Sequence, residues 1–176
     1  MYLSLILLDS GMSEYWIEHK QAWTSEKMLR AFLFKKADRV RLTYTPWTEG
    51  FFKRIRHGSE NDPKWIETKE NLRPYFVKKV INNKRFNDLD QGKHTFTHYF
   101  FRLTDTLKEM LTKETLIWPV NPPAERGPFY CFEDPTFYKG DKMIGGVITH
   151  EPYVFLYLTD AERKLLEKKG LSFNDK

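Results

Sequence analysis

Two histidines four residues apart, His94 and His98 in "GKHTFTHYFF", carry the clearest suggestion of chemistry in this chain. On an α-helix this spacing places both imidazoles on one face, which is how paired histidines hold zinc. A metal centre needs at least one further ligand, and His150 and Asp134 are the candidates because both lie in polar turns beside predicted strands. These four residues are the predicted metal site, and a metal-dependent hydrolase is the function that such a site would support.

The same segment also has a plainer interpretation as an amphipathic helix over residues 94–113. Its apolar stripe recurs at helical spacing and runs through Phe96, Phe100, Leu103, Leu107 and Met110. His98 then lies on the polar flank of the helix. The metalloprotease pattern requires a glutamate directly after the first histidine, but Thr95 stands there. We therefore prefer a solvated helix face to a metal site.

A second candidate site is the segment "PWTEGFFKRIRHG", residues 46–58, which alternates aromatic and cationic side chains. Aromatic rings stack on bases and cations neutralise phosphates, so the pattern is typical of single-stranded nucleic-acid binding. The strand "RVRLTYT" precedes it and is predicted to form a hairpin with "FFKRIRH", which would add two arginines to the same solvent face. The predicted patch consists of Arg39, Arg41, Trp47, Lys53, Arg54, Arg56 and His57. An acidic protein surface would fit this patch equally well.

The remaining motifs argue against catalysis. The chain has one cysteine, Cys131, in the apolar run "PFYCF", so it is predicted to be a small buried side chain without a disulfide partner. Gly145 and Gly146 lack the spacing of a phosphate-binding loop, and no serine lies in a nucleophile elbow. No cofactor is therefore predicted, and the lack of a complete catalytic motif favours a binding protein over an enzyme.

Charge is distributed unevenly along the chain. The whole sequence has a formal net charge of +5, whereas residues 20–93 hold 18 Lys/Arg against 9 Asp/Glu, a net charge of +9. This middle region is expected to attract anions or acidic surfaces. Aromatic residues make up 16% of the chain, which is enough to build a large core or interface.

The N-terminal stretch "MYLSLILLDS" lacks the basic segment and the small-residue cleavage site of a secretory signal. No stretch of the sequence approaches the roughly 18 apolar residues that span a bilayer. We therefore expect a cytoplasmic protein without a membrane partner.

Local patterns predict the elements of the first two thirds. Strands are expected at residues 2–8 and 39–45, and residues 13–23 fit a strand or a helix, with the strand preferred. Helices are expected from Thr24, from Asp62-Pro63 and over 94–113. Pro74 predicts a kink or a break between two helices, the second facing inward through Phe76, Val77, Val80 and Ile81.

The last third has the clearest local signals. "FYCFED" is a predicted strand, and "TFYKGDKMIGGVIT" is a predicted hairpin that turns at Gly140, with a bulge or a close backbone approach at its paired glycines. "YVFLYL" follows as a further strand. "TDAE" has the form of a capping box, with Thr159 at the cap and Glu162 three residues later.

Together these patterns predict one α+β domain, with about four helices on a mostly antiparallel sheet and a C-terminal β-meander closed by a helix. The proline-rich segment 118–128 is the predicted place of any subdivision. The expected function is non-enzymatic binding of another protein, as in an inhibitor, immunity or adaptor protein. Nucleic-acid binding through residues 39–57 and metal-dependent hydrolysis are the alternatives.

Overall fold

A computed structural model describes residues 11–49, 55–84, 94–113, 129–149 and 153–174. Its strands are β1 (Met12–Glu18), β2 (Arg39–Tyr44), β3 (Trp47–Glu49), β4 (Ile55–His57), β5 (Phe76–Asn82), β6 (Phe96–Arg102), β7 (Phe132–Lys139), β8 (Lys142–Ile148) and β9 (Tyr153–Thr159). Its helices are α1 (His19–Thr24), α2 (Glu26–Lys36), α3 (Pro63–Leu72), α4 (Asp105–Lys113) and α5 (Asp160–Glu167). The predicted strand 2–8 and connector 118–128 lie outside the described residues.

The fold is α+β, as predicted. Seven strands form one antiparallel sheet in the order β1-β9-β8-β7-β2-β6-β5, and β3 and β4 form a separate two-stranded hairpin. The main hydrophobic core lies between the sheet and its helices. The core side chains of the helices include Leu29, Leu33, Trp65, Leu72, Leu107, Leu111 and Leu166. We call this side of the sheet the helix face and the other side the opposite face.

The C-terminal meander and its closing helix are confirmed. The strands β7, β8 and β9 pair in sequence, and the first hairpin turns at Gly140, whose φ is 58°. A Cβ on Gly145 would stand 2.5 Å from the carbonyl oxygen of Phe155, so only glycine fits there. The β7–β8 register also shifts beside this position, as expected for a bulge. Thr159 and Glu162 make the predicted capping box.

The predicted hairpin between residues 39–45 and 51–57 is wrong. β2 pairs with β6 on one side and with β7 on the other, whereas β3 is the one described strand that pairs with β4. The burial of β2 explains this arrangement, because Val40 and Leu42 fill the helix face while Arg41 and Thr43 are buried on the opposite face. A strand covered on both faces belongs in the middle of a large sheet.

The predicted helix over 94–113 begins too early. Its first part is the strand β6, and α4 begins only at Asp105. The hydroxyl of Thr104, the residue before α4, accepts a hydrogen bond from the Leu107 N–H at 3.3 Å. The run "FTHYFFR" is rich in aromatic residues and threonine, which favour strands. The predicted second helix after Pro74 is likewise the strand β5, and its apolar side chains are largely exposed.

The helix from Asp62-Pro63 is confirmed. Asp62 is the N-cap of α3 and accepts a hydrogen bond from the Lys64 N–H at 3.0 Å, and Pro63 occupies the first turn. Residues 13–23 contain both expected alternatives, β1 followed by α1. Thr24 ends α1 and does not cap the next helix, since α2 begins at Glu26 after Ser25. None of the helices in the described residues is long and apolar enough to cross a bilayer.

Candidate functional site

The structure places the two histidines of the predicted metal site in different environments. His98 lies on a strand and is fully buried, and both of its ring nitrogens have partners: Nδ1 is 3.2 Å from Oγ1 of Thr43, and Nε2 donates to the carbonyl of Lys84 at 2.5 Å. His94 is exposed before β6. In extended chain, four residues span about 13 Å, whereas both ligands of one zinc ion lie about 2 Å from it.

Asp134, a further predicted metal ligand, has hydrogen-bond partners of its own. Asp134 is buried, and its carboxylate accepts a hydrogen bond from the Thr149 N–H at 2.9 Å, while its own N–H donates to Oγ1 of Thr149 at 2.8 Å. It therefore joins β7 to the end of β8. His150 lies outside the described residues. Within the described ranges, no three His, Cys, Asp or Glu side chains lie close enough to hold a metal ion.

The predicted basic patch is distributed over several environments. Arg41 is only 2% exposed, donates to Oγ1 of Thr136 at 3.1 Å and lies 5.7 Å from the ring centre of Tyr138, so it does not belong to a solvent face. Arg39 forms ion pairs with Asp38 and Asp141 at 3.6 and 3.5 Å. Trp47 and Arg56 lie on the β3–β4 hairpin, and Lys53 and Arg54 lie outside the described residues.

His57 belongs to a hydrogen-bonded chain that the sequence did not reveal. Its Nδ1 is 2.6 Å from the hydroxyl of Tyr130, which in turn donates to the Asp62 carboxylate at 2.7 Å. The same carboxylate oxygen accepts the N–H of Gly58 at 2.7 Å. These hydrogen bonds connect β4, the N-terminus of α3 and the segment before β7. Its sequence signal was limited to the Asp-Pro cap, because Tyr130 is 68 residues away from Asp62.

The pKa values of Asp62 and Tyr130 indicate which atoms of this hydrogen-bonded network carry protons. Burial alone would raise the pKa of Asp62, but hydrogen bonds from Gly58, Tyr130 and Lys64 outweigh it, and the pKa is lowered. Burial and the neighbouring Asp62 carboxylate raise the pKa of Tyr130. The phenol therefore stays protonated and donates to Asp62, and its oxygen accepts a hydrogen bond from the Nδ1–H of His57.

Cys131 adjoins this chain but is not a nucleophile at neutral pH. It is fully buried, as predicted. Burial, and to a smaller extent the charge of Asp62, raise the pKa of its thiol to about 12. Tyr44 packs beside it, and its hydroxyl donates to the carbonyl of Gly58. Burial raises the pKa of Tyr44 to about 12 as well. This cluster fixes the loop that leads into α3.

The position of α3 on the sheet is fixed by Trp65. This side chain is 1% exposed, and its ring lies 4.7 Å from Tyr44, 5.9 Å from Tyr99 and 5.3 Å from Phe132. The N-terminal half of α3 is thus attached through its cap and through one large ring. Its C-terminal half extends over the outer strands of the sheet.

A groove lies beneath that C-terminal half. It is a cavity of about 240 Å³ between the helix and the helix face of the sheet. Aromatic rings form much of its lining, and charged side chains form its rim. The lining residues are Lys69, Glu70, Leu72, Arg73, Phe76, Tyr99, Phe101 and Phe132. Lys69 pairs with Glu60 at 2.8 Å, and Arg73 pairs with Glu70 at 3.4 Å.

The groove opens beside β5, the outermost strand on this side of the sheet. Phe76, Val77 and Ile81 of this strand are 48%, 41% and 60% exposed. Lys79 lies over the ring of Tyr99 at 5.6 Å, and Lys78 lies over the ring of Phe100 at 4.9 Å. β5 and the groove are the surface that the sequence does not predict, because its pattern indicates a helix with Phe76, Val77, Val80 and Ile81 facing inward.

Comparisons with protein-family models, with curated proteins and with solved structures found no significant match.

Proposed function

We propose that this protein binds another protein by adding an extended segment of its partner as a strand beside β5. The observation that carries the proposal is an edge strand that exposes apolar side chains. β5 is hydrogen-bonded to β6 on one side, and none of the other described strands pairs with it. A peptide strand is the natural occupant of such an edge, because it satisfies the outward backbone N–H and C=O groups.

The exposed apolar side chains support a protein partner. Among the described residues, five large hydrophobic side chains are exposed, and three of them, Phe76, Val77 and Ile81, lie on β5. Scattered apolar side chains are ordinary on a protein surface, but a concentration on one strand is typical of an interaction site. Burial of such side chains by a partner contributes roughly 25 cal/mol per Å² of apolar area before the costs of association.

The charge of this edge supports an acidic partner segment. Lys78 and Lys79 are both exposed on β5. Complementary charge speeds encounter and selects among partners more than it adds affinity. An inhibitor, immunity or adaptor protein that acts without a cofactor is consistent with this chemistry. We place the interaction in the cytoplasm, where a lone cysteine such as Cys131 stays reduced.

The same surface has one feature that favours single-stranded nucleic acid, because lysines lie over the rings of Tyr99 and Phe100. Two observations make this the weaker alternative. Val77 and Ile81 offer no ring on which a base could stack. Two of the cations beside the groove, Lys69 and Arg73, are already paired with Glu60 and Glu70, which reduces the charge available for phosphates.

A phage-displayed library of random dodecapeptides, selected on the immobilised protein, tests the proposal. We expect enriched peptides to bind the wild type and the control variant Leu165→Lys, since Leu165 is an equally exposed apolar residue on α5. Their affinity should fall at least tenfold for Ile81→Lys, because the substitution removes an exposed apolar side chain from the proposed contact surface and places a charge there. Equal binding to both variants contradicts the proposal. A dodecamer of deoxythymidine that displaces the peptides would support nucleic acid instead.

A further inference from the structure

We infer that the segment bound beside β5 carries an aromatic, an acidic and an aliphatic residue at alternate positions, with the aromatic side chain seated in the groove under α3. This inference rests on the proposed strand addition and names the chemistry of the partner. Three residues of β5 determine the pattern: Phe76, Lys79 and Ile81. Each of them lies on the helix face of the sheet.

The pairing of β5 with β6 gives the spacing. Phe76, Lys79 and Ile81 lie opposite Phe101, Tyr99 and Thr97, which are two residues apart on β6. β5 has an extra residue between Phe76 and Lys79, and the register shifts there. A regular strand added on the outer side of β5 would meet the same three residues as β6 does, with every second residue of its own. Such a strand runs antiparallel to β5, as β6 does, so from its N-terminus the pattern is aliphatic, any residue, acidic, any residue, aromatic.

The position beside Phe76 suits an aromatic side chain. Phe76 forms one wall of the groove, and its ring lies 6.3 Å from Tyr99 and 6.4 Å from Phe101. Rings at such separations leave edges and faces to which a further ring can pack. The cavity of about 240 Å³ is smaller than the roughly 300–1,000 Å³ of pockets for drug-sized ligands. A single large side chain is the occupant that fits its size.

The position beside Lys79 suits a carboxylate. The ammonium group of Lys79 lies over the ring of Tyr99, on the side of the sheet where Lys69 extends from α3. The exposed carboxylate of Glu60 indicates that the local potential is positive, because its pKa is lowered. The hydrogen bond from Lys69 is the largest cause, followed by the charge of Lys69 and the charge of Lys79. A second carboxylate, supplied by the partner, would meet the same cations and would compete with Glu60 for them.

The position beside Ile81 suits an aliphatic residue. Ile81 is 60% exposed and lies opposite Thr97 at the far end of β5 from the groove. A β-branched side chain next to it would cover its apolar surface across the new strand pair. The aromatic and aliphatic positions thus lie on either side of the acidic one.

Three acetylated synthetic heptapeptides test the inference, with affinities measured by isothermal titration calorimetry on the full chain. The matched peptide has valine, glutamate and phenylalanine at positions 2, 4 and 6, with serine and threonine elsewhere. The shifted peptide has the same composition with glutamate moved to position 3, and the third peptide has lysine at position 4. We expect the matched peptide to bind the wild type at least tenfold more tightly than either of the others.

Two variants make the test specific. Lys79→Glu should lose at least tenfold for the glutamate peptide and should prefer the lysine peptide, because the charges are exchanged. Phe76→Ala should bind the matched peptide and its alanine-6 analogue equally. Leu165→Lys is the control and should behave as the wild type. Lys79→Glu that keeps the wild-type preference, or equal affinities of the wild type for the matched and shifted peptides, overturns the inference.

Amide protection separates the two proposals. Hydrogen exchange of the wild type with each peptide at saturating concentration shows whether β5 becomes protected. Protection of β5 by all three peptides with equal affinity would retain the proposed strand addition and overturn the pattern inferred here. Binding without protection of β5 would overturn both.

Discussion

The two edges of the sheet are protected very differently. On β1, the C-terminal tail pairs with the outer side at one position: the Trp16 N–H donates to the carbonyl of Asn174 at 3.3 Å, and the Asn174 N–H donates to the carbonyl of Trp16 at 2.9 Å. The side chain of Asn174 also donates to Glu18 at 3.2 Å. No described strand or tail pairs with the outer side of β5.

The apolar side chains of the two edge strands also differ in their burial. β1 buries Tyr15 and Ile17 and presents Glu18 to solvent, whereas β5 leaves Phe76 and Ile81 exposed. Natural sheets usually shield an edge with charge, a short strand or a covering segment. Among the described residues, a further segment pairs with the outer side of β1 but not with that of β5, whose exposed side chains are apolar residues and two lysines. This difference is the basis of the proposed function.

The largest expected loss of stability comes from Trp65, whose ring packs α3 against the sheet near β5. Trp65→Ala removes the buried ring that holds α3 on the β5 side and should cost about 3–5 kcal/mol of unfolding free energy. Because Trp65 contacts Tyr44, Tyr99 and Phe132, hydrogen exchange should accelerate more in β5 and β6 than in β1 and β9. Urea unfolding and exchange mass spectrometry measure the two quantities. Uniform acceleration over the sheet would show that the β5 side has no support of its own.

The next effect concerns the cap of α3. Asp62→Ala removes the helix cap and the acceptor of the Tyr130 hydroxyl and should cost about 2–3 kcal/mol. Since the folded pKa of Asp62 is lowered, its stabilisation is present above the unfolded pKa, about 3.9, and is lost as the pH falls through the folded value.

The measurement for Asp62 is urea unfolding from pH 7 to pH 3. The stability difference between the wild type and Asp62→Ala should shrink below about pH 4. Asp62→Asn, which keeps an acceptor oxygen but not the charge, should lie between the two proteins at pH 7. A difference that stays constant over the whole range would contradict the assigned role of the carboxylate.

A smaller effect is expected at the shielded edge. Deletion of Phe173–Lys176 removes the ring of Phe173, which packs 5.5 Å from Tyr15, together with the two backbone hydrogen bonds of Asn174. The cost should be about 1–2 kcal/mol. The uncovered edge of β1 should also promote self-association, which analytical ultracentrifugation detects. A truncated protein that remains as stable and as monodisperse as the full chain would show that the tail does not shield β1.

The smallest effect on stability is expected from surface substitutions. Ile81→Lys and Leu165→Lys should each change the unfolding free energy by no more than about 0.5 kcal/mol, since both side chains are more than half exposed. The pair separates binding from folding, because only Ile81 lies on the edge proposed to bind. Thermal unfolding measures both. A large loss of stability for Ile81→Lys would assign Ile81 to folding and would remove it as a binding probe.

The sequence predicted what local chemistry controls. The capping box at Thr159, the Asp-Pro start of α3 and the hairpin at Gly140 all act within a few residues, and all three are confirmed. The strand β6 was missed because Phe96, Phe100 and Leu103 recur at helical spacing. Pairing with β2, more than fifty residues earlier in the chain, overrides that periodicity.

The candidate site was beyond local prediction for the same reason. Tyr130 reaches Asp62 across 68 residues, and the groove combines α3 with strands from three parts of the chain. Val77 and Ile81 were predicted as inward-facing because apolar residues usually face a core. Their exposure depends on the position of β5 at the sheet edge, which the order of strands determines.

The most direct test is a nuclear Overhauser experiment on the labelled protein with a bound, unlabelled peptide from the selected library. Strand addition places the amide and α protons of the peptide beside the backbone of β5, at the spacing of a sheet pair. We predict a ladder of peptide contacts to the backbone of residues 78–82 and none to residues 12–18 of β1. Contacts only to helix side chains, or to the backbone of β1, would contradict the claim that the open edge is the binding surface.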